Sequence, residues 1–114
     1  MKEYEVKLTK QAETQIHEIA WYITVVLKNP DAAENLMDEI DAAMEKLKKH
    51  PAAISLTDEE PWRSTGIRSM GVKNFLIYFW INENNLKVQV TGVVYAARDQ
   101  RKFLAKMQTD EDFI

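Results

Sequence analysis

The chain has 114 residues, 46% of them apolar, with a formal net charge of −3 and no cysteine. That is enough apolar material for one core, so a single domain over residues 1–114 is expected, and disulfides, thiol nucleophiles and cysteine-based zinc sites are excluded. The longest apolar run, residues 75–81, is strand-sized rather than membrane-spanning, and the start MKEYEVKL lacks the layout of a signal peptide. A soluble, cytoplasmic protein with no membrane partner is therefore expected.

Tyr4, Val6 and Leu8 alternate with Glu5 and Lys7, the period of a half-buried strand. Thr9 then reads as the cap of a helix over residues 10–27, with Ala12, Ile16, Ile19, Ala20, Ile23 and Leu27 on one face and Trp21, Tyr22 and Val26 widening it. Asn29-Pro30 breaks this helix and opens the next. Over residues 30–49, Ala33, Leu36, Met37, Ile40, Ala43, Met44 and Leu47 keep a three-four spacing, acids crowd the first half, and Lys46, Lys48 and Lys49 close it. Pro51 stops this helix at His50. The two helices read as an antiparallel hairpin.

Residues 52–66 are expected to be a loop with a single turn near 56–60, and residues 66–70 a short strand. Residues 75–81 are apolar on both faces and predict a central strand, with residues 82–85 as its hairpin turn. Leu86, Val88, Val90, Gly92 and Val94 alternate with Lys87, Gln89, Thr91 and Tyr95 along a partner strand. A short helix over residues 99–107 follows, and an acidic tail over 108–114 is expected to fray. The order β-α-α-β-β-β-α predicts an α+β fold, a helical hairpin packed on a small antiparallel sheet.

The modest net charge hides a split. Residues 61–107 carry eight basic and two acidic side chains, +6, whereas residues 31–60 carry three and nine, −6. A focused basic surface attracts a polyanion or an acidic partner. Arg63, Arg68, Lys73, Arg98, Arg101 and Lys102 form the candidate surface, favoured by their strand-end positions and the scarcity of acids in the same stretch; ordinary solvated charges are the plain alternative. Arginine suits anion recognition because its planar fork donates two bonds at once and stays charged. Tyr78, Tyr95, Trp62 and Trp80 lie among these cations and could stack bases. Core packing is the better reading for Trp80 and at least one tyrosine, because an apolar seven-residue strand buries both faces.

The remaining candidates are weaker. His17 has no matching ligand one turn away, and His50 sits in a helix-ending turn, so no metal is expected. Ser55 and Ser69 lack a nucleophile setting. Glu13, Glu18, Glu59 and Glu60 could act as a base, although solvated carboxylates are far more common. No phosphate loop or dinucleotide fingerprint occurs, and no cofactor is expected.

Four segments, YEVKLTKQAETQIHEIAWYI, PDAAENLMDEIDAAMEKLKKHP, EPWRSTGIRSMGVKNFLIYFWI and VVYAARD, resemble in order and spacing the RelE/ParE toxins of bacterial type II toxin–antitoxin modules, over about residues 4–104. The resemblance implies a small cytoplasmic growth-arresting toxin, of the kind that also stabilises plasmids, neutralised by a cognate antitoxin protein. One branch of the family cleaves mRNA on the ribosome; the ParE-like branch poisons DNA gyrase. If the chain is a metal-independent ribonuclease, the resemblance makes Arg98, Arg68 and Tyr95 the catalytic candidates, Arg98 through the motif VVYAARD. Leu76, however, replaces an arginine that the nuclease branch carries, and of an expected lysine pair only Lys73 remains. VKNFLIYF is closer to the ParE-like branch, so a gyrase-directed toxin is expected ahead of an mRNA endonuclease or an inactive binding protein.

Overall fold

Thr9 ends the first strand and starts the first helix: its hydroxyl accepts the N–H of Ala12 at 3.1 Å, satisfying a donor that the first helical turn leaves open. The structure, a computed structural model, describes residues 2–108. Strand β1 is Glu5–Leu8 and helix α1 is Lys10–Trp21. The helix predicted to run on to residue 27 instead widens into a π-turn, Tyr22–Val26, in which the Leu27 N–H reaches the Tyr22 carbonyl at 3.0 Å. One extra residue in the turn rotates the following side chains off the core stripe. Trp21, Tyr22, Val26 and Leu27, expected to extend the buried face, are exposed instead.

Helix α2, Pro30–Lys49, follows the predicted bounds. Asn29 caps it by accepting the Ala32 N–H at 3.2 Å, Pro30 takes the first position, and the last turn carries the three lysines. Ala33, Leu36, Ile40, Ala43 and Leu47 are buried, as the spacing requires. A single 3-10 turn, Pro51–Ala53, follows where an open loop was expected.

The sheet contains β2 (Arg68–Val72), β3 (Phe75–Asn82) and β4 (Lys87–Tyr95), in the order β1-β4-β3-β2. It is mixed rather than antiparallel throughout, because β1 runs parallel to β4. The Tyr4 N–H donates to the Lys48 carbonyl at 2.8 Å, so the helical hairpin returns the chain to the start of β1. The next strand then enters the sheet in the direction of β1, as a long crossover dictates. Strand β2 starts two residues later than predicted, since Gly66 takes a φ of +92° inside a turn and is left out of the ladder.

The alternation predicted along the last strand breaks at Thr91. Tyr78 pairs with Gly92 and Phe79 with Val90, so Thr91 is a bulge and the inward set beyond it changes parity. Val88, Val90 and Val93 join Ile77, Phe79, Met70 and Val72 in a core closed by α1 and α2. Val94 turns to the opposite face and packs with Tyr78, Ile67 and Leu104. That face is covered by α3, Gln100–Lys106, together with the 57–67 loop. Helix α3 is capped by Asp99, whose carboxylate accepts the Lys102 N–H at 3.2 Å. The acidic tail, apart from Gln108, lies outside the described residues.

Candidate target-binding surface

Lys73 lies in the turn between β2 and β3, in the left-handed region at φ 53°. The neighbouring Asn74 carbonyl accepts the Ala96 N–H at 2.8 Å, and the Phe75 and Tyr95 rings meet edge to face at 5.7 Å. The chain then leaves β4 in a turn held by the Arg98 N–H on the Tyr95 carbonyl at 3.0 Å. Lys73, Tyr95 and Arg98 are therefore gathered at one end of the sheet, all exposed, with Lys102 on the first turn of α3 close behind. Among the described residues, no ion pair or side-chain hydrogen bond holds Lys73, Arg98 or Lys102. Hydrated cations beside an exposed aromatic ring are free to meet a phosphate or carboxylate.

The other three cations are engaged elsewhere. An Arg68 Nη1 donates to the Ile54 carbonyl, and the side chain is half-buried. Five residues separate Arg68 from Lys73 along the strand, roughly 16 Å at strand rise, so the two do not converge. Arg63 donates to the Thr57 carbonyl at 3.3 Å and lies 3.8 Å from Asp58; Arg101 reaches Glu59 at 3.3 Å. The acids that the sequence places in another segment thus fold back against two of the arginines. The charge split of the chain narrows, on the surface, to the sheet end. Among the described residues the Arg98 guanidinium does not meet the carboxylate of Glu18, which is exposed on α1.

The aromatic residues divide as core and surface. Tyr78 is fully buried and stacks on Phe103 at 5.8 Å, with its hydroxyl 3.3 Å from Gln100 Oε1. Burial, with a smaller contribution from the negative charge of Glu59, pushes its pKa up to about 12. Trp80 is half-buried, its indole N–H donating to Gln89 Oε1 at 2.7 Å. Tyr95 is 48% exposed and is the tyrosine within reach of an external ligand at the cationic end. His17 and His50 are both exposed.

Sequence reading missed two features. Phe75, which braces Tyr95, looked like an ordinary strand residue, and its pairing became visible only through the Phe75–Tyr95 register. The exposed run at the end of the first helix had a signal, since residues 21–27 are more continuously apolar than a helical stripe needs.

The family model described as the ParE toxin of the type II toxin–antitoxin system parDE matches residues 6–100. The chain belongs to the ParE toxin family. The fold agrees. A structure of the chromosomal ParDE toxin–antitoxin system from P. aeruginosa is similar at a TM-score of 0.65 and 18% identity, covering 81% of this chain and 95% of that one. The RelBE2 toxin–antitoxin complex from Mycobacterium tuberculosis is similar at 0.58 and 16% identity, covering 82% and 98%. No curated protein matches. The chain is thus a type II toxin of the ParE kind, and among its described residues no helix is long and apolar enough to cross a membrane.

Proposed function

We propose that this toxin arrests growth by binding DNA gyrase in the cytoplasm, and that a cognate antitoxin neutralises it. The observation that carries the reading is the sheet end, where Lys73, Arg98 and Lys102 stand open while Arg68 is held by a backbone carbonyl about 16 Å away. Metal-independent cleavage of RNA needs several cations preorganised around one phosphate and a group to move protons. Here Leu76 is packed into the α3 face of the sheet rather than supplying a cation, and the buried Tyr78 keeps its proton. A surface of few cations and one ring suits recognition of a macromolecule better than chemistry on one. The similarity to a ParDE system supports the same branch.

Purified toxin should inhibit supercoiling by gyrase and trap cleaved DNA, and leave ribosome-bound transcripts intact. Cleavage of transcripts on translating ribosomes would overturn the reading in favour of an mRNA endonuclease. Inactivity in both assays would leave a toxin-fold protein that only binds its partner.

A further inference from the structure

Strand β2 ends the sheet, and its outer edge is covered over only part of its length. The Thr57 N–H donates to the Ile67 carbonyl at 2.9 Å and the Ser69 N–H to the Ser55 carbonyl at 3.2 Å, which makes an antiparallel bridge of Leu56 with Arg68. Before Ser55 the chain lies in the 3-10 turn Pro51–Ala53, so this cover does not continue along β2. Backbone groups alternate sides along a strand, and Gly71 therefore faces outward as Ser69 does. Among the described residues its outward N–H and carbonyl meet no partner. Sheet edges are normally blunted by a charged side chain, a proline or a bulge, and position 71 has none of these. Nor does the fold demand glycine there: its φ lies outside the left-handed region, and a Cβ would meet nothing within 4 Å.

Beside this open edge, α2 and β2 border a groove of about 250 Å3. Ala43, Met70 and Val72 supply its apolar part, and Lys46, Lys73 and Glu39 its charges. Both lysines are exposed, and among the described residues neither makes an ion pair or a side-chain hydrogen bond. Two ammoniums against one carboxylate favour an acidic side chain. We propose that the Gly71 edge and this groove take up an extended acidic segment of the toxin's target, which pairs with β2 as an added strand and sets a carboxylate between Lys46 and Lys73. The proposal rests on the gyrase reading. It extends the target-binding surface from Lys73 along the strand edge to Lys46 on α2, a cation outside the candidate surface.

The chemistry of the edge chooses this occupant. Free backbone N–H and carbonyl groups side by side match another polypeptide, whereas a phosphate chain offers acceptors alone and would meet Glu39 as a like charge. A second copy of the toxin fits poorly, because a two-fold pairing about Gly71 would bring the lysines of one copy near those of the other.

The test uses the full-length toxin and gyrase holoenzyme, with inhibition of supercoiling and direct binding as readouts. Gly71→Pro removes the outward N–H without removing a bond inside the sheet, so it should leave thermal melting unchanged and weaken inhibition at least 10-fold. Gly71→Ala keeps the N–H and should stay within 2-fold of wild type. Lys46→Glu should weaken inhibition several-fold at low salt and progressively less as salt rises. Exchange of the Gly71 amide hydrogen should be fast in the free toxin and slow in the complex. Full potency in Gly71→Pro would overturn the strand pairing, and full potency in Lys46→Glu would overturn the acidic side chain. If the proline lowers the melt, Lys46→Glu and the Gly71 exchange rate decide alone, and an unprotected amide in the complex overturns the proposal. Full inhibition of gyrase with lost binding to the neighbouring gene product would assign the edge to the antitoxin instead. A wild-type toxin without effect on gyrase would remove the gyrase reading beneath the proposal.

Discussion

Toward the helical hairpin the sheet presents Met70, Ile77, Phe79, Val88, Val90 and Val93, closed over by Leu36, Ile40 and Leu47. Toward α3 it presents Tyr78, Trp80 and Thr91, each tied by a hydrogen bond: Tyr78 to Gln100, Trp80 to Gln89, and Thr91 to the Tyr78 carbonyl. The first face is held by apolar burial, which is strong and indifferent to orientation. The second is held by fewer apolar groups and by directional bonds, of which Tyr78–Gln100 orients the short helix while the other two join β3 to β4. The consequence is functional. Arg98 and Asp99 lie between β4 and α3, so the geometry of the cationic end depends on the directional face, whereas the stability of the fold depends on the other.

The sharpest way to break this comparison is to empty the hairpin face. Phe79 is fully buried among aliphatic neighbours. Phe79→Ala should lower unfolding free energy by about 3–5 kcal/mol, a large share of what a small domain possesses. Urea titration should show the loss in the midpoint with little change in slope. A loss below about 1 kcal/mol would mean that this face is not the main source of stability.

Gly92 probes the other face. A Cβ there would come within 2.7 Å of the Phe103 ring and 3.1 Å of the Met107 sulfur. The ring cannot swing away freely, because it is stacked on Tyr78. Gly92→Ala should therefore push α3 off the sheet, with a stability loss of about 1–3 kcal/mol. Hydrogen exchange in α3 should quicken more than in α2. Target binding should fall by more than the stability loss accounts for, since Arg98 moves with the helix. Equal loosening of both helices would erase the distinction between the faces.

The same two faces explain what could be read from the sequence. Helix α2 was legible because its spacing, its Asn29 cap and its terminal lysines all agree on one answer. The central strand was legible because an apolar run of that length needs cover on both sides, and both covers exist. The parity change at Thr91 was not, because a bulge is a property of the pairing with Tyr78 and Phe79 and leaves no mark in the local pattern. The parallel pairing of β1 was hidden for a similar reason: it depends on where the hairpin returns the chain. Each candidate cation was visible in the sequence. Their grouping was not, since contacts such as Glu59 with Arg101 span forty-two residues.

Alkaline titration sharpens the comparison on the polar side. A free tyrosine loses its proton near pH 10, and folding pushes Tyr78 up to about 12. The folded state holds that proton more tightly than the unfolded state, so this stabilisation is complete below about pH 10 and is lost as pH rises through about 12. The loss should be on the order of 3 kcal/mol. It should appear as a falling melting temperature in that window and disappear in Tyr78→Phe. An identical alkaline profile in the variant would assign the transition to other groups.

The smallest structural effect belongs to Arg98, and it separates function from folding most cleanly. Its side chain is exposed and, among the described residues, makes no ion pair or hydrogen bond; its backbone N–H holds the turn at Tyr95 whatever the side chain is. Capping of α3 belongs to Asp99 and is likewise untouched by the change. Arg98→Ala should therefore alter stability by about 0–1 kcal/mol, as surface charges do. Growth arrest should nevertheless be lost, because the open guanidinium is the forked donor of the cationic end. Lys73→Ala should weaken arrest less, since an ammonium offers a point charge and it stands in the turn between β2 and β3. Thermal melts beside a growth assay decide the matter: a sharp fall in melting temperature would make Arg98 structural, and an unchanged melt with full toxicity would remove it from the target-binding surface.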